Sequence, residues 1–352
     1  MKNVIIRIAA IFAGAVLVTG CFGEIGPRPA PAASPIRFEA GTSPLLQDDD
    51  TRVTPLHPAY FEASDDFSVF SLYNNQEADP VFDGAVITYN GTAWNYANLS
   101  EARDWAWSQN EDRYDFVAVS PASAGATRLV GAPGRLTVTA DYDLTADSLD
   151  LMAAAYSRTG ESGLVIRTAP VPMTFKHMLS AVRVDFHNIS GEGNFTVNSY
   201  CFKNIVNRST LKATLTSASK ESFVWINSES STAAVRQENP ATGAHNPVAP
   251  GDSLIGAGFN LVIPQRLDAG VNLPALEITY TPSSTGVPVT PPLIPLQEIL
   301  RFADDQPILE WNMGVAYVYK VFIRLDGGVE VRVVTTEWDE VVYETPGIMI
   351  PA

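Results

Sequence analysis

From Asp65 to Tyr343 the chain is written in short runs of alternating apolar and polar side chains, most of them closed by glycine, proline, asparagine or aspartate. A period of two sends successive side chains to opposite faces of a strand, so a chain patterned this way is committed to sheets rather than packed helices. Asn90-Gly91 lies between Ala85-Val86-Ile87-Thr88-Tyr89 and Thr92-Ala93-Trp94-Asn95-Tyr96. That dipeptide accepts the positive φ angles of a type I′ turn and predicts a hairpin. Asp326-Gly327-Gly328 predicts another. In Asp65 to Tyr73, Phe67, Val69 and Tyr73 share one face while Phe70 and Leu72 share the other, the mark of a strand buried on both sides. Arg113 to Val119 and Arg135 to Ala140 read as strands too. Met173 to Phe186 reads as a long strand with a bulge or a switch of sheets. Ser148 to Tyr156 is the exception, because Leu149, Met152, Ala153 and Tyr156 follow helical spacing and predict one or two helical turns. Short strands with few helical stretches favour an all-β fold of two consecutive β-sandwich domains of Greek-key type, residues 59–168 and 169–352.

The amino terminus reads as an export signal. Lys2 and Arg7 precede an uncharged apolar run from Ile8 to Val18, too short to span a bilayer, which takes about 20 residues. Leu17-Val18-Thr19-Gly20-Cys21 resembles a bacterial lipobox, which implies removal of residues 1–20 and lipid on Cys21. Cys201 then has no intramolecular partner and is expected to be a buried, inert thiol. Loss of Lys2 and Arg7 leaves 21 basic against 39 acidic side chains, a net charge of −18. So acidic a chain is unsuited to binding nucleic acid, which needs a surplus of Lys and Arg. Residues 21–58 carry prolines at 27, 29, 31, 35, 44, 55 and 58 and read as an extended tether. Within it Ile36, Phe38 and Ala40 alternate with charged residues, as a strand would. The polar loop Asp48-Asp49-Asp50-Thr51-Arg52-Val53 is a site where proteases could cut.

Motifs that carry chemistry are scarce. The sequence has no Gly-x-Ser-x-Gly elbow, no His-Glu-x-x-His, no phosphate-cradling glycine loop and no dinucleotide fingerprint. Four histidines, at 57, 177, 187 and 245, and two cysteines leave little material for a metal site. Asp48 to Asp50 lack the spacing and glycine of a loop that wraps calcium. His177 lies in an apolar strand without a Ser or Cys partner, so a structural histidine satisfied by a backbone group is expected. No cofactor is implied and a non-enzymatic role is favoured. The alternatives are a surface glycan-binding lipoprotein, with a row of exposed Trp or Tyr on one sandwich edge, and then an exported hydrolase with two carboxylates joined by a cleft.

Three stretches carry a resemblance. Arg113-Tyr114-Asp115-Phe116-Val117-Ala118-Val119-Ser120-Pro121 resembles the tyrosine-rich strand ending in Ser-Pro of the fimbrillin-like subunits of type V pili, made by Bacteroidetes-type bacteria. Phe175-Lys176-His177-Met178-Leu179-Ser180-Ala181-Val182 is similar to the Phe-x-His stretch near the start of their second domain. Trp311-Asn312-Met313-Gly314 with Tyr317-Val318-Tyr319 resembles their Trp-x-x-Gly and Tyr-x-Tyr pattern. The resemblance implies two transthyretin-like β-sandwiches and a subunit exported to the outer membrane as a lipoprotein and assembled into a cell-surface fimbrium. Its partners would be other pilus subunits, the membrane through lipid on Cys21, and an adhesion ligand on a host or bacterial surface. In polymerising members an arginine-specific protease removes an amino-terminal strand, and a neighbour's donor strand fills the vacated groove. Carried onto this chain, the displaced strand is Ile36, Phe38 and Ala40, and the cut falls at Arg52, with Arg37 as the alternative. Val341, Tyr343, Ile348 and Ile350 form a candidate donor strand; the other reading is a last strand packed on its own domain.

Overall fold

The computed structural model describes residues 36–42, 61–74, 76–98, 113–131, 135–146, 149–158, 169–216, 218–231, 235–238, 246–256, 258–270, 272–325 and 328–337. Strands β1 (Phe38–Thr42), β2 (Asp66–Tyr73), β3 (Phe82–Tyr89), β4 (Trp94–Tyr96), β5 (Tyr114–Ser120), β6 (Thr127–Leu129), β7 (Arg135–Asp143) and β8 (Met152–Arg158) come first. Then follow β9 (Val171–His177), β10 (Ser180–Asn188), β11 (Phe195–Lys203), β12 (Ile205–Thr216), β13 (Glu221–Ser231), β14 (Val235–Glu238), β15 (Ser253–Leu254) and β16 (Asn260–Val262). The last are β17 (Gln265–Arg266), β18 (Ala275–Pro282), β19 (Ile294–Pro295), β20 (Leu300–Arg301), β21 (Glu310–Trp311), β22 (Val315–Arg324) and β23 (Gly328–Glu337). Among the described residues the only helical elements are short 3-10 turns, and no helix is long and apolar enough to cross a membrane.

The first sheet runs β1-β9-β8-β5-β2-β3-β4 and curls until its two edges meet. There the Tyr96 hydroxyl donates to the Ile36 carbonyl, and the Phe38 ring lies 6.2 Å from that of Tyr96. Inside the curl sit Ile36, Phe38, Phe67, Phe82, Phe116 and Phe175. Against its outer face packs a second sheet, β13-β12-β7-β6, with Phe70, Leu72 and Val117 meeting Leu136, Val138 and Leu211. β2 and β5 are therefore buried on both faces, as the double alternation of β2 predicts. Arg113, at the entrance to β5, binds the almost fully buried Asp115 and also donates to the Thr216 carbonyl of the second sheet. At the other end, Ser120 Oγ donates to the Asp66 carbonyl and Ala122 N–H to the Asp66 carboxylate, so the Ser-Pro motif fastens the exit of β5 to the start of β2.

The rest of the chain makes a sandwich of β15-β10-β22-β23-β20, with β16 also on β10, over β14-β11-β18-β19. Phe186, Phe195, Phe202, Trp311 and Tyr319 fill it. The Trp-x-x-Gly and Tyr-x-Tyr residues work as one unit: Trp311 Nε1 donates to Tyr319 Oη at 2.8 Å, and Asn312 N–H donates to Tyr317 Oη at 2.8 Å. Gly314 between them has φ +69°, which suits a residue without Cβ. Burial pushes both phenols up, Tyr317 to about 12.

Several local expectations need correction. In place of the helix expected over Ser148 to Tyr156, the chain forms strand β8 from Met152 onward, with Met152 and Ala154 facing the curled core and Ala153 the opposite face. Pairing with β5 along its length outweighs the weak helical spacing of an alanine-rich segment. In the β3–β4 hairpin, Tyr89 pairs with Trp94 and Asn90 N–H donates to the Ala93 carbonyl, so Gly91-Thr92 are the loop residues instead of Asn90-Gly91. Gly91 has φ +90°, and the Asn90 side chain accepts from Thr92 and Ala93 N–H. The partner shift is two residues, which leaves every side chain on its expected face. The run from Met173 to Phe186 switches sheets, breaking between β9 and β10. Pairing is not uniformly antiparallel either: β1 with β9, β10 with β22 and β20 with β23 run parallel, because long connections leave direction unconstrained by a hairpin.

Strands also cross the division expected near Thr168. β9 closes the curled sheet with β8 and β1, and the β12–β13 hairpin joins the second sheet through β7 over the full span Arg208 to Thr216. Ile205, at the start of β12, belongs to the carboxy-terminal core, while Leu211, Ala213 and Leu215 belong to the amino-terminal one.

Candidate functional site

Ile36, Phe38 and Ala40 come together where the curl closes. All three are buried, with Arg37 and Glu39 pointing to solvent between them. Phe38 touches four rings, those of Phe67, Phe82, Tyr96 and Phe116, at 5.7–6.2 Å between centroids. Most are edge-on, the arrangement aromatic quadrupoles favour. Alternation delivers this contact directly: period-two spacing aims Ile36, Phe38 and Ala40 at one face, and Gly41, also buried, continues the close approach.

The backbone of this strand is held on one flank by a parallel ladder to β9, from Phe38 opposite Val171 to Thr42 opposite Phe175. On the other flank it meets β4 through the Tyr96 hydroxyl, whose burial pushes its pKa well above the usual phenol value. The segment Val171 to Phe175 has β1 as its one described ladder partner, since β8 pairs with β9 only at Lys176 and His177. Removing β1 would therefore expose both an unpaired strand edge and a trough lined by Phe67, Phe82, Phe116 and Phe175. The chain returns to the same core at Phe61, whose ring meets Trp94 at 4.9 Å and Phe175 at 5.7 Å.

Arg37 is exposed immediately before β1. Cys21, Arg52, Val341, Tyr343, Ile348 and Ile350 lie outside the described residues. His177 Nδ1 stands 2.7 Å from Asp150 Oδ2, which gives the histidine a carboxylate neighbour. Cys201 is buried in β11. Among the described residues no three His, Cys, Asp or Glu are grouped to hold a metal ion. None of the described Trp or Tyr side chains is exposed, so the row of aromatic platforms that a glycan-binding surface would present does not occur among them.

Comparison with known proteins gives this geometry a context. The sequence profile of the fimbrillin-like family matches residues 51–338. The chain belongs to the fimbrillin-like family. β1 precedes the matched span of this fimbrillin-like chain, and Val341 to Ile350 follow it. A fimbrial protein from Bacteroides vulgatus superposes with a TM-score of 0.51 at 15% identity, over 87% of this chain and 100% of that one, and shares its fold. The carboxy-terminally truncated tip fimbrial protein of Porphyromonas gingivalis aligns with a TM-score of 0.42 at 13% identity, over 79% of this chain and 95% of that one. A fimbrilin from Porphyromonas gingivalis W83 aligns with a TM-score of 0.41 at 12% identity, over 86% and 96%. No curated protein matches the chain.

Proposed function

We propose that this fimbrillin-like protein is a structural subunit of a cell-surface fimbrium, exported as an outer-membrane lipoprotein on Cys21 and joined to its neighbours by replacement of β1. The observation that carries the reading is the segment of β1, an edge strand ahead of the family span: Phe38 and Ala40 of β1, with Ile36 just before it, fill a core made otherwise from residues 61–175. An arginine-specific protease cutting at Arg52, or at Arg37 as the alternative, frees the strand from the chain. A neighbouring subunit then supplies Val341 and Tyr343, or Ile348 and Ile350, to the vacated position.

Magnitudes favour a cut as the trigger. Burying Ile36 and Phe38 contributes about 3–6 kcal/mol. Ordering the five residues of β1 costs about 5–10 kcal/mol of backbone entropy. Ladder hydrogen bonds worth about 1 kcal/mol each bring the sum near balance. What keeps β1 docked is its covalent tether, equivalent to a local concentration of the order of millimolar. After cleavage that advantage is gone and an incoming strand of similar fit competes on equal terms.

The test is to treat the mature protein with an arginine-specific protease and image it by electron microscopy. Filaments are expected, and Arg52→Ala should suppress them; particles that are cleaved at Arg52 yet stay monomeric would overturn strand replacement. For the lipid, Cys21→Ala should abolish detergent-phase partitioning and envelope attachment, and unchanged partitioning refutes it.

A further inference from the structure

Away from the β1 site, a groove of about 570 Å³ opens where the start of β12 and the end of β13 face the segment from Pro264 to Pro274. Its volume lies in the range of small-molecule sites, about 300–1,000 Å³. Trp225 forms one wall and is fixed from two sides. Its Nε1 donates to the Met178 carbonyl at 2.9 Å, and the Tyr142 ring meets it edge-on at 6.2 Å. Gln265 is fixed as well, accepting from Val206 N–H at 2.8 Å and donating to the Ile263 carbonyl at 3.1 Å. Ser228, Ser230 and Asn272 add hydroxyl and amide groups to the lining. Among the described residues the only charged one lining the groove, Arg266, is paired with Asp268 at 2.7 Å.

We infer that this groove binds a short neutral oligosaccharide, with a sugar ring stacked on Trp225 and its hydroxyls met by Ser230 and Asn272. The chemistry selects the class. An anion would find the one cation already neutralised and a chain of net charge −16 around it. An apolar ligand would cover hydroxyls and amides without offering them partners, which disfavours it. A sugar offers a C–H face to a fixed indole and a rim of hydroxyls to amides, and immobilised walls lower the ordering cost of binding. Trp225 is half-buried in the groove wall, so this is a single platform in an open groove and not an exposed aromatic row.

The experiment is calorimetric titration of the full mature chain with maltoheptaose, cellohexaose, xylohexaose and mannohexaose. At least one is expected to bind saturably, Trp225→Ala to weaken it at least about tenfold and the exposed pair Ser230→Ala/Asn272→Ala to weaken it about threefold. The exposed pair keeps the test valid should Trp225→Ala fail to fold, because its melting temperature is expected to match the parent. The inference is overturned if none of the four binds up to about 10 mM, if binding survives the exposed pair unchanged, or if a proline-rich peptide binds while the saccharides do not.

Discussion

Between residues 61 and 175 the curled sheet is closed by Ile36 and by Phe38 and Ala40 of β1, a segment held by a five-residue ladder, its buried side chains and one tyrosine hydroxyl. The carboxy-terminal sandwich is assembled differently. Its buried core residues lie between 182 and 333, with Leu144 packed against them, and its two longest neighbours, β22 and β23, pair over ten positions through a hairpin. Side-chain hydrogen bonds inside it tie Trp311 to Tyr319 and the backbone of Asn312 to Tyr317. One region takes its closing strand from a segment remote in sequence, and the other commits polar groups to ties inside its own core. Under strand replacement as proposed, the remote β1 is the exchangeable member, whereas β22 and β23 stay joined through their hairpin.

Substitutions on the two sides should therefore behave unlike each other. The largest effect is expected from Trp311→Ala, which deletes a side chain only 1% exposed and leaves the Tyr319 hydroxyl without its donor. Thermal unfolding should show a loss of about 3–5 kcal/mol. A loss under 1 kcal/mol would break the contrast. Phe38→Ala removes a ring with four aromatic neighbours, at about 3–5 kcal/mol in strand docking. Hydrogen exchange should show protection lost at Val171 to Phe175 while Tyr317 to Ile323 stay protected; loss at both would mean the two regions open together.

The smallest expected effect is a pH response in the carboxy-terminal region. His187 stacks on Phe322 at 4.9 Å, and burial holds its pKa below 6.5, with Lys320 adding to the fall and Asp185 opposing it. Asp185 is itself paired with Arg183, and Phe302 lies against both Lys320 and Phe322. Because the unfolded chain takes up the proton first, stability is full above pH 6.5 and falls as pH drops below it. Melting between pH 7.5 and 5 should show that fall, and His187→Gln should blunt it. An identical slope in the variant would assign the effect to other groups.

Much of this architecture is legible along the chain, and the exceptions have physical causes. Double alternation in β2 and the island at Ile36 to Ala40 both predict the faces that are buried, because period-two spacing fixes side-chain direction before any tertiary contact forms. Strand partners are another matter. Nothing local to Phe38 or Val171 announces that they pair across more than a hundred residues, or that they do so in parallel. The helical spacing of Leu149, Met152 and Ala153 misleads for the same reason, since a segment placed between β5 and β9 takes its conformation from them. The groove beside Trp225 was invisible too. Its walls come from three separated stretches, and a tryptophan in a strand gives no sign of whether its ring lines a core or a cleft.

The β12–β13 hairpin has a mechanical meaning. Ile205 is embedded in one core and Leu211, Ala213 and Leu215 in the other, so the two halves are stapled by a continuous strand rather than threaded like beads. If neighbours join by the strand replacement proposed above, tension along a fibre would have to shear the ladder from Arg208 to Thr216 against β7 before the halves could part. Such a subunit would resist stretching as a single body, and any extension of a fibre built from it would be sought first at the joints between copies.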